Sequence, residues 1–360
     1  MGDNTAEEIR IGISGMGVRG TQYAELLLRK KGAVKLAAVT RGGVENTRLK
    51  EKISDAGCQI FHDEKELLEK GNVDAMIVAA PHYSHEKQVI TALKKGIHVL
   101  CEKPAAVDIV QAENMQRAAR QSSAVYAVAF QYRMHPIYEE MKHIVESAEY
   151  GKLVRLSWTL TDWYRENEYY RLSPWRGTWE GEGGGVLLNQ CSHYLDLLQW
   201  IVGMPTAVRA FCHEGKFHDI KTEDEAFAYM QFHGGAAGVL TASTGEKMGV
   251  NRLEFIFETA RIVIENHTMS IMERGHKIKQ RTWKEYDLDE LMLSEFIKAI
   301  SEGKSKCVMG GEAINSLMIS NAMYLSSWRE CVIQLPIGGQ TFRTELQRRK
   351  TVDIKRERDA

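Results

Sequence analysis

The sequence of 360 residues predicts an α/β fold in two parts: an N-terminal doubly wound parallel sheet, then a C-terminal α+β domain with a large, open, mostly antiparallel sheet. Two observations carry this prediction. Strand-like apolar runs and helical patterns alternate from residue 9 to about residue 125, which is typical of a parallel sheet covered by helices. From about Gln131 onward, longer runs alternate between apolar and polar residues, which is typical of antiparallel strands with one solvated face.

In the first part, each predicted element has a local signal. Residues 73–80 are apolar on both faces, as a central parallel strand requires, and Pro81 ends that strand. Gly96 is suited to cap the end of the helix before the next strand. The predicted strands are 9–13, 34–39, 59–61, 73–80, 97–101 and 125–130, and the predicted helices are 18–31, 44–56, 64–70, 85–95 and 109–121.

In the second part, one strong helix at 186–200 follows the run Gly183-Gly-Gly185 and interrupts a series of strands. The change of rhythm suggests a first domain of residues 1–130 and a second of residues 131–345. The tail, 346–360, is rich in charged residues and is expected to be frayed or solvated. The other predicted helices are 137–147, 289–301 and 312–328, and the predicted strands are 153–161, 207–212, 225–232, 236–243, 252–258 and 261–265.

Composition argues against several classes of protein. The formal net charge is −1, so the charge balance does not call for nucleic acid or an anionic membrane. The N-terminal residues are polar and acidic, and no apolar run approaches the roughly 20 residues that span a bilayer. The six cysteines are scattered without a C-x-x-C pair, and His82 and His85 have no third metal ligand nearby. We expect a cytoplasmic protein without a bound metal.

The first predicted strand runs into glycines with the spacing Gly15-x-Gly17-x-x-Gly20. Gly15 would allow a sharp turn out of the strand, and Gly17 would let a pyrophosphate approach the backbone. Gly20 would let the next helix pack closely, with the phosphates at the N-terminus of that helix. The pattern predicts a Rossmann-type dinucleotide site at Gly15, Met16, Gly17 and Gly20, and the alternative is a glycine-rich turn in another α/β protein.

The end of the second strand bears on the choice of cofactor. An acidic residue there would bind the ribose 2′-hydroxyl of NAD. This strand instead ends in Thr40 and Arg41, and the first carboxylate is Glu45. A hydroxyl and a guanidinium suit a 2′-phosphate, so the sequence favours NADP over NAD. The alternative is that Arg41 is a solvated loop residue.

Two segments carry candidate catalytic residues. Lys103, within Glu102-Lys103-Pro104, follows a predicted parallel strand and could stabilise a developing oxyanion or exchange a proton. His193 would share a helix face with Asn189 and Asp196, and a histidine held by such an acceptor is a candidate base. The alternatives are a surface lysine before a turn and a core histidine.

Aromatic residues crowd the segment before the glycine run. Their faces, interleaved with Arg176 and asparagine, suit a sugar ring, which presents C–H faces and hydroxyl edges. Core packing and a subunit interface compete equally with this interpretation. The segment contains Trp163, Tyr164, Tyr169, Tyr170, Trp175 and Trp179.

Taken together, these features resemble the Gfo/Idh/MocA oxidoreductase family, which includes glucose–fructose oxidoreductase and inositol dehydrogenases. Besides the glycine fingerprint, the resemblance lies in segments 80–85 (Ala-Pro-His-Tyr-Ser-His), 96–104 (Gly-Ile-His-Val-Leu-Cys-Glu-Lys-Pro), 130–133 (Phe-Gln-Tyr-Arg) and 183–193 (Gly-Gly-Gly-Val-Leu-Leu-Asn-Gln-Cys-Ser-His). The second and fourth segments are far more specific than the fingerprint. The far N-terminus and the residues after Leu335 fall outside the resemblance.

The resemblance implies an NAD(P)-dependent dehydrogenase that oxidises a secondary alcohol of a sugar, sugar derivative or cyclitol, or reduces the ketone. It implies a Rossmann cofactor domain and a substrate-binding domain whose sheet forms homodimers or homotetramers. Two other functions stay open: a ligand-sensing or scaffolding protein on the same fold, and redox-neutral, NAD-dependent glycoside cleavage.

The resemblance also implies roles for individual residues. Lys103 would approach the oxygen of the reacting carbon, His193 would accept the proton, and the Lys103–Pro104 peptide is expected to be cis. Asn189 departs from the pattern, because many relatives carry an Asp there that partners the histidine, and an amide cannot stabilise imidazolium as a carboxylate would. The remaining implied cofactor contacts are Ala80, Pro81, His85, Glu102, Lys103 and Gln131, and the implied substrate contacts are Lys103, Arg133, Trp163, Arg176, Asn189 and His193.

Overall fold

The structure is a computed structural model that describes residues 8–30, 32–42 and 47–359. Contacts divide it into two compact units. The first unit comprises the described part of Met1–Ala106, together with Gln111–Phe130 and Asp289–Glu312. The second comprises Val107–Val110, Gln131–Leu288 and the described part of Ala313–Ala360. Strands β1–β16 and helices α1–α11 are numbered along the whole chain.

The first unit is built on a seven-stranded sheet with the order β15-β6-β5-β4-β1-β2-β3. Six strands are parallel, and β15 joins β6 antiparallel at the edge. The order reverses at β1, so the predicted doubly wound parallel sheet is confirmed. The strands are β1 (Ile9–Ser14), β2 (Val34–Thr40), β3 (Gln59–Phe61), β4 (Ala75–Val78), β5 (His98–Cys101), β6 (Tyr126–Val128) and β15 (Val308–Met309).

The helices that connect these strands follow the predicted pattern closely. All side chains of β4 are buried, as expected for a strand covered on both faces. Asp63 caps α3 by accepting a hydrogen bond from the backbone N–H of Glu66, at 2.9 Å. The helices are α1 (Val18–Arg29), α2 (Thr47–Asp55), α3 (Glu64–Lys70), α4 (His85–Lys94), α5 (Ile109–Arg120) and α9 (Leu288–Glu302); of the predicted helix 44–56, residues 44–46 lie outside the described ranges.

The second unit is built on a nine-stranded sheet with the order β14-β13-β12-β11-β7-β10-β9-β8-β16. All neighbouring strands are antiparallel except β7 and β10, which confirms the predicted open, mostly antiparallel sheet. The strands are β7 (Leu153–Leu160), β8 (Pro205–Glu214), β9 (Glu223–Phe232), β10 (Ala237–Ser243), β11 (Asn251–Phe257), β12 (Ala260–Glu265), β13 (Thr268–Glu273), β14 (Lys279–Thr282) and β16 (Ile333–Gln334).

One face of this sheet is covered by helices and the other is open. Along β9, Ala226, Ala228 and Met230 are buried, whereas Phe227 and Tyr229 between them are exposed. This alternation is the pattern that predicts the strand. The helices of the unit are α6 (Pro136–Ser147), α7 (Asn167–Arg171), α8 (Ser192–Val202), α10 (Ile314–Arg329) and α11 (Gly339–Asp359).

The structure corrects the sequence predictions in three places. Helix α8 begins at Ser192 and not at residue 186, because residues 186–191 form turns. The charged tail is helical and not frayed, since α11 continues to Asp359, and it buries Leu346, while Gln347, Arg348 and Thr351 are exposed, as expected for a solvated segment. Residues 289–312, which the change of rhythm places in the second domain, belong to the first unit. Within the described ranges, no helix combines the length and apolar character needed to cross a bilayer.

Candidate cofactor and substrate sites

The predicted cofactor residues of the first unit gather along one edge of its sheet. The carboxyl ends of parallel strands meet at the same edge, and ligands bind where the strand order reverses. The fingerprint loop follows β1, which lies between β2 and β4. The loops after β2, β4 and β5 carry Thr40 and Arg41, Ala80 and Pro81, and Glu102 and Lys103, respectively.

The three fingerprint glycines have different surroundings. Gly15 has a φ of +91°, and a Cβ there would press on the backbone of Ala79. A Cβ on Gly20 would fall on the carbonyl oxygen of Gly15, so this helix could not pack as closely with any other residue. Gly17 precedes the first turn of α1, and a Cβ placed on it would meet no atom within 4 Å, which leaves its backbone open to an approaching group.

The residues at the end of β2 brace the fingerprint loop. The backbone N–H of Gly15 donates to the Thr40 hydroxyl at 3.0 Å, and that of Met16 donates to the carbonyl of Gly42 at 3.1 Å. Thr40 is buried, whereas the Arg41 side chain is exposed. The hydroxyl thus supports the turn, and Arg41 is the residue of the pair that is exposed to solvent.

Glu102 connects the end of β5 to α1. One oxygen of its buried carboxylate accepts from Arg19 Nε at 2.8 Å and from the Tyr23 hydroxyl at 2.9 Å. The other oxygen accepts from the backbone N–H of Lys103 at 3.1 Å. Burial and the charge of Glu102 raise the pKa of Tyr23, which keeps the phenol a neutral donor. Glu102 therefore positions Lys103 through its backbone, and the Lys103–Pro104 peptide is cis, as expected.

His85 connects the loops that follow β4 and β5. Its ring is fully buried, with Nε2 2.8 Å from the carbonyl oxygen of Ala80 and Nδ1 3.0 Å from that of Pro104. Burial lowers the pKa of the imidazole. These contacts give His85 a role in holding the two loops together. Its implied contact with the cofactor stays a prediction, as does that of Gln131, which is buried just after β6.

In the second unit, Asn189 lies in the turns before α8 and not on the helix. Its side-chain nitrogen donates to one carboxylate oxygen of Glu182 at 2.5 Å. The other oxygen of Glu182 accepts from the backbone N–H of Gly177 at 2.7 Å. Glu182 is only 2% exposed, and the guanidinium of Arg176 lies 3.7 Å from its carboxylate. Nothing in the sequence pattern singled out Glu182, which is absent from the predicted site residues.

A second buried carboxylate, Glu223 at the start of β9, holds the glycine run. It accepts from the backbone N–H groups of Gly185 at 2.8 Å and Leu187 at 2.9 Å, and from the Tyr324 hydroxyl at 2.7 Å. Burial raises the pKa of Glu223 to about 8, and the hydrogen bonds from its donors oppose that rise. A Cβ on Gly185 would overlap the carbonyl oxygen of Glu223, which explains a glycine at this position.

His193 lies in the first turn of α8 and is 7% exposed. Its ring stacks on Tyr132, with 4.5 Å between the ring centroids. One turn further along, both oxygens of Asp196 accept from the guanidinium of Arg133, each at 2.7 Å. Because this ion pair is almost fully buried, Arg133 anchors α8. The implied contact of Arg133 with the substrate stays a prediction.

The residues of the aromatic segment lie in different surroundings. The Arg176 guanidinium donates to the Tyr169 hydroxyl at 2.7 Å and lies over the rings of Tyr169 and Trp175. Arg176 is thus held by its aromatic neighbours and by Glu182. Trp163, in contrast, lines a cavity, and Trp179 packs in the core.

This cavity of about 450 Å³ lies wholly within the second unit. Tyr132, the residue on which His193 stacks, forms part of its wall. The wall carries five aromatic rings besides the imidazoles, three carboxylates and two amides, and none of its residues is a lysine or arginine. The lining residues are Tyr132, His135, Ile137, Tyr138, Asp162, Trp163, Tyr194, Asn251, Ile264, Glu265, Asn266, His267, Glu285, Tyr286 and Leu288.

Two family models match the chain. The oxidoreductase family with an NAD-binding Rossmann fold matches residues 9–130, and the GFO/IDH/MocA C-terminal domain matches residues 138–263. The chain is 27% identical over 334 residues to myo-inositol 2-dehydrogenase of Thermotoga maritima, a match that covers 87% of this chain and 95% of the relative. It is 22% identical to scyllo-inositol 2-dehydrogenase (NAD(+)) of Bacillus subtilis, covering 92% and 97%.

Two solved structures have the same fold. The WlbA dehydrogenase from Bordetella pertussis, in complex with NADH and UDP-GlcNAcA, has a TM-score of 0.80 at 24% identity and covers 92% of this chain and 100% of its own. Levoglucosan dehydrogenase, in complex with NADH and levoglucosan, has a TM-score of 0.79 at 20% identity with the same coverage. The chain belongs to the Gfo/Idh/MocA family of oxidoreductases, and its first unit is the NAD-binding Rossmann domain of that family.

Proposed function

We propose that this protein is a dehydrogenase that transfers a hydride between nicotinamide C4 and a secondary alcohol or ketone of a sugar, sugar derivative or cyclitol. The observation that carries the proposal is the edge of the first sheet, where the open backbone of Gly17 and the lysine of Glu102-Lys103-Pro104 follow strands of one parallel sheet. Matches over most of the chain to inositol 2-dehydrogenases support the same substrate class.

The lining of the cavity in the second unit is suited to bind a neutral, polyhydroxylated ring. Aromatic faces stack on the C–H faces of such a ring, and carboxylates and amides bind its hydroxyl groups. The wall carries the carboxyl groups of Asp162, Glu265 and Glu285, of which Glu265 is paired with Arg252 at 2.6 Å. The residues that line the cavity include no lysine or arginine to bind a substrate carboxylate or phosphate. We therefore propose inositols and uncharged sugars, and not sugar acids, as substrates.

We assign the chemical roles as follows. Lys103 stabilises the negative charge that develops on the substrate oxygen. His193 accepts the hydroxyl proton as the hydride leaves the carbon, and returns it during ketone reduction. Asn189 binds and orients the reacting groups, as the turn before His193 would allow. The substrate loses one hydride to nicotinamide and one proton to the imidazole, so the oxidation is balanced.

The test is a spectroscopic assay at 340 nm with NAD⁺ and NADP⁺ against inositols, neutral sugars and uronic acids. We expect turnover with a neutral polyol. Lys103→Ala should then lower kcat by about two orders of magnitude or more and leave cofactor affinity within severalfold. Lys94→Ala, which replaces an exposed lysine of the same unit, is the matched control. Near-normal turnover in Lys103→Ala would refute the role of this lysine, and turnover confined to uronic acids would refute the substrate class.

We also propose that Arg41 directs the enzyme toward NADP. A charge-assisted contact with the 2′-phosphate contributes about 1.5–3 kcal/mol, so Arg41→Ala should weaken NADP(H) binding at least about tenfold and change NAD(H) binding little. Calorimetric titration with both cofactors measures the ratio. An unchanged ratio would make Arg41 a solvated loop residue and favour NAD, whose reduced form is bound in the two solved relatives.

The open face of the second sheet supports a homodimer or homotetramer. Phe211, Phe227, Tyr229 and Val239 are each about two-fifths to one-half exposed and lie beside one another on β8, β9 and β10. We propose that a second copy of the chain covers these side chains. Sedimentation of the wild type and of Phe227→Glu tests this, because a charge on the face should shift the protein toward the monomer.

A further inference from the structure

We propose that Glu182 is a positioning residue for the dehydrogenase reaction, and that it acts by fixing which end of the Asn189 amide is presented to the reacting groups. The proposal rests on the proposed function. Glu182 itself is almost fully buried. Asn189 is partly exposed, although its neighbours Leu188 and Gln190 are buried.

The contacts of Glu182 determine the orientation of the amide. The backbone N–H of Gly177 and the Asn189 side chain approach its two oxygens at 2.7 and 2.5 Å, and the Arg176 guanidinium lies 3.7 Å away. Gly177 and Asn189 each donate to a different oxygen of Glu182, so both oxygens of this side chain act as acceptors. The nitrogen of Asn189 must therefore face Glu182, since the opposite orientation would bring two acceptors together.

The chemical consequence is that Asn189 presents its oxygen on the side away from Glu182. The oxygen is also a better acceptor than that of an isolated amide, because donation to a carboxylate polarises the amide group. A substrate hydroxyl or a protonated imidazole needs such an acceptor. Glu182 and Asn189 together thus supply, through a neutral group, the acceptor that a carboxylate would otherwise provide at position 189.

Exchanging the two side chains tests this pair. Glu182→Gln keeps an acceptor for Gly177 but turns a donor toward Asn189, so the amide rotates and presents its nitrogen. Asn189→Asp places two carboxylates in contact, which repel each other. The double variant Glu182→Gln/Asn189→Asp keeps the net charge and the hydrogen bonds of the pair, because the new amide at position 182 donates to the new carboxylate at position 189. That leaves one oxygen of this carboxylate for the reacting groups.

We expect each single variant to lower kcat/KM for the polyol at least about tenfold, and the double variant to return to within about threefold of the wild type. The loss should lie mainly in kcat, with cofactor affinity unchanged. Glu180→Gln, which replaces an exposed glutamate two residues earlier, is the matched control and should behave as the wild type. Two results would overturn the proposal. One is a kcat/KM of Glu182→Gln within about twofold of the wild-type value, and the other is a kcat/KM of the double variant no higher than that of the less active single variant.

A measurement that needs no turnover separates this proposal from the proposed function. The side-chain amide signals of Asn189 in ¹⁵N-labelled protein are identified by their loss in Asn189→Asp. They should shift in Glu182→Gln, where the amide loses its carboxylate acceptor, and unmoved signals would refute the orientation. If the wild type oxidises no polyol, the proposed function fails, while the signals still decide whether Glu182 orients Asn189.

Discussion

The fingerprint loop of the first unit and the glycine run of the second unit are both rich in glycine, yet they are held in different ways. The fingerprint loop is held by backbone contacts, because Gly15 packs on the backbone of Ala79 and Gly20 on that of Gly15, where a Cβ would not fit. The glycine run is held by buried carboxylates, since Glu223 accepts from its N–H groups and Glu182 accepts from Asn189 just after it. The first loop thus depends on close backbone contacts that only glycine allows. The second depends also on buried carboxylate side chains, of which Glu223 lies more than thirty positions further along the chain.

If the second unit depends on buried charged side chains, the largest effect of a substitution on stability is expected at the ion pair that anchors α8. Arg133→Ala would leave Asp196 buried without its cation, which should lower the free energy of unfolding by about 3–5 kcal/mol. Arg155→Ala, which removes an exposed pair with Glu254 in the same unit, should cost at most about 1 kcal/mol. Denaturant unfolding of the two variants side by side checks this, and equal costs would show that α8 does not depend on the buried pair.

The next effect concerns the pH dependence of stability. A pKa of about 8 for Glu223 in the fold, above its ordinary value near 4.5, means that the folded state retains a proton that the unfolded state has lost. The stabilisation of the fold by this retained proton is fully present below about pH 4.5. It decreases by up to about 1.4 kcal/mol per pH unit as the pH rises, and it is lost once the pH has passed about 8.

Glu223→Gln removes this titration. Its free energy of unfolding should therefore fall less than that of the wild type between about pH 5 and pH 8. Urea unfolding at several pH values gives the difference. A constant offset between the two proteins would mean that Glu223 is ionised in the fold and that its three hydrogen-bond donors prevail over burial.

The smallest effect is expected in the fingerprint loop. Gly17→Ala meets open space, so the melting temperature should stay unchanged while NADH affinity falls about tenfold, because the methyl group occupies the path of the phosphate. Gly20→Ala should lower the melting temperature itself, because its Cβ meets the backbone of Gly15. If Gly17→Ala binds NADH normally, the pyrophosphate does not approach this part of the loop.

The fold and the cofactor edge could be predicted because their signals are short-range. Strand β1, the glycine spacing after it and the start of α1 lie within about a dozen residues of one another. The parallel order of the strands then brings Lys103 to the same edge of the sheet. The alternating pattern of residues around Phe227 and Tyr229 is also a short-range signal, and it predicted β9.

The carboxylates and the start of α8 could not be predicted, for physical reasons that particular residues show. Glu223 binds N–H groups more than thirty positions earlier, and such bonds leave no periodicity in the sequence. The apolar residues of 186–188 continue the helical pattern of α8, and Asn189 even makes a helix-like bond to Gly185, although the chain only turns there. The ion pair of Arg133 could not be predicted because its partner, Asp196, lies 63 positions away and leaves no local signal.

Residues 289–312 belong to the first unit although they follow most of the second unit in sequence, and this has a consequence for folding during synthesis. Val308 closes the edge of the first sheet by pairing with Val128, and Asp289 binds Arg19 of α1 through both carboxylate oxygens. A nascent chain therefore carries β6 as an open edge while the whole antiparallel sheet is being synthesised. Open edges recruit other strands, so a fragment that stops at Phe130 should self-associate, and adding 289–312 in trans should suppress it.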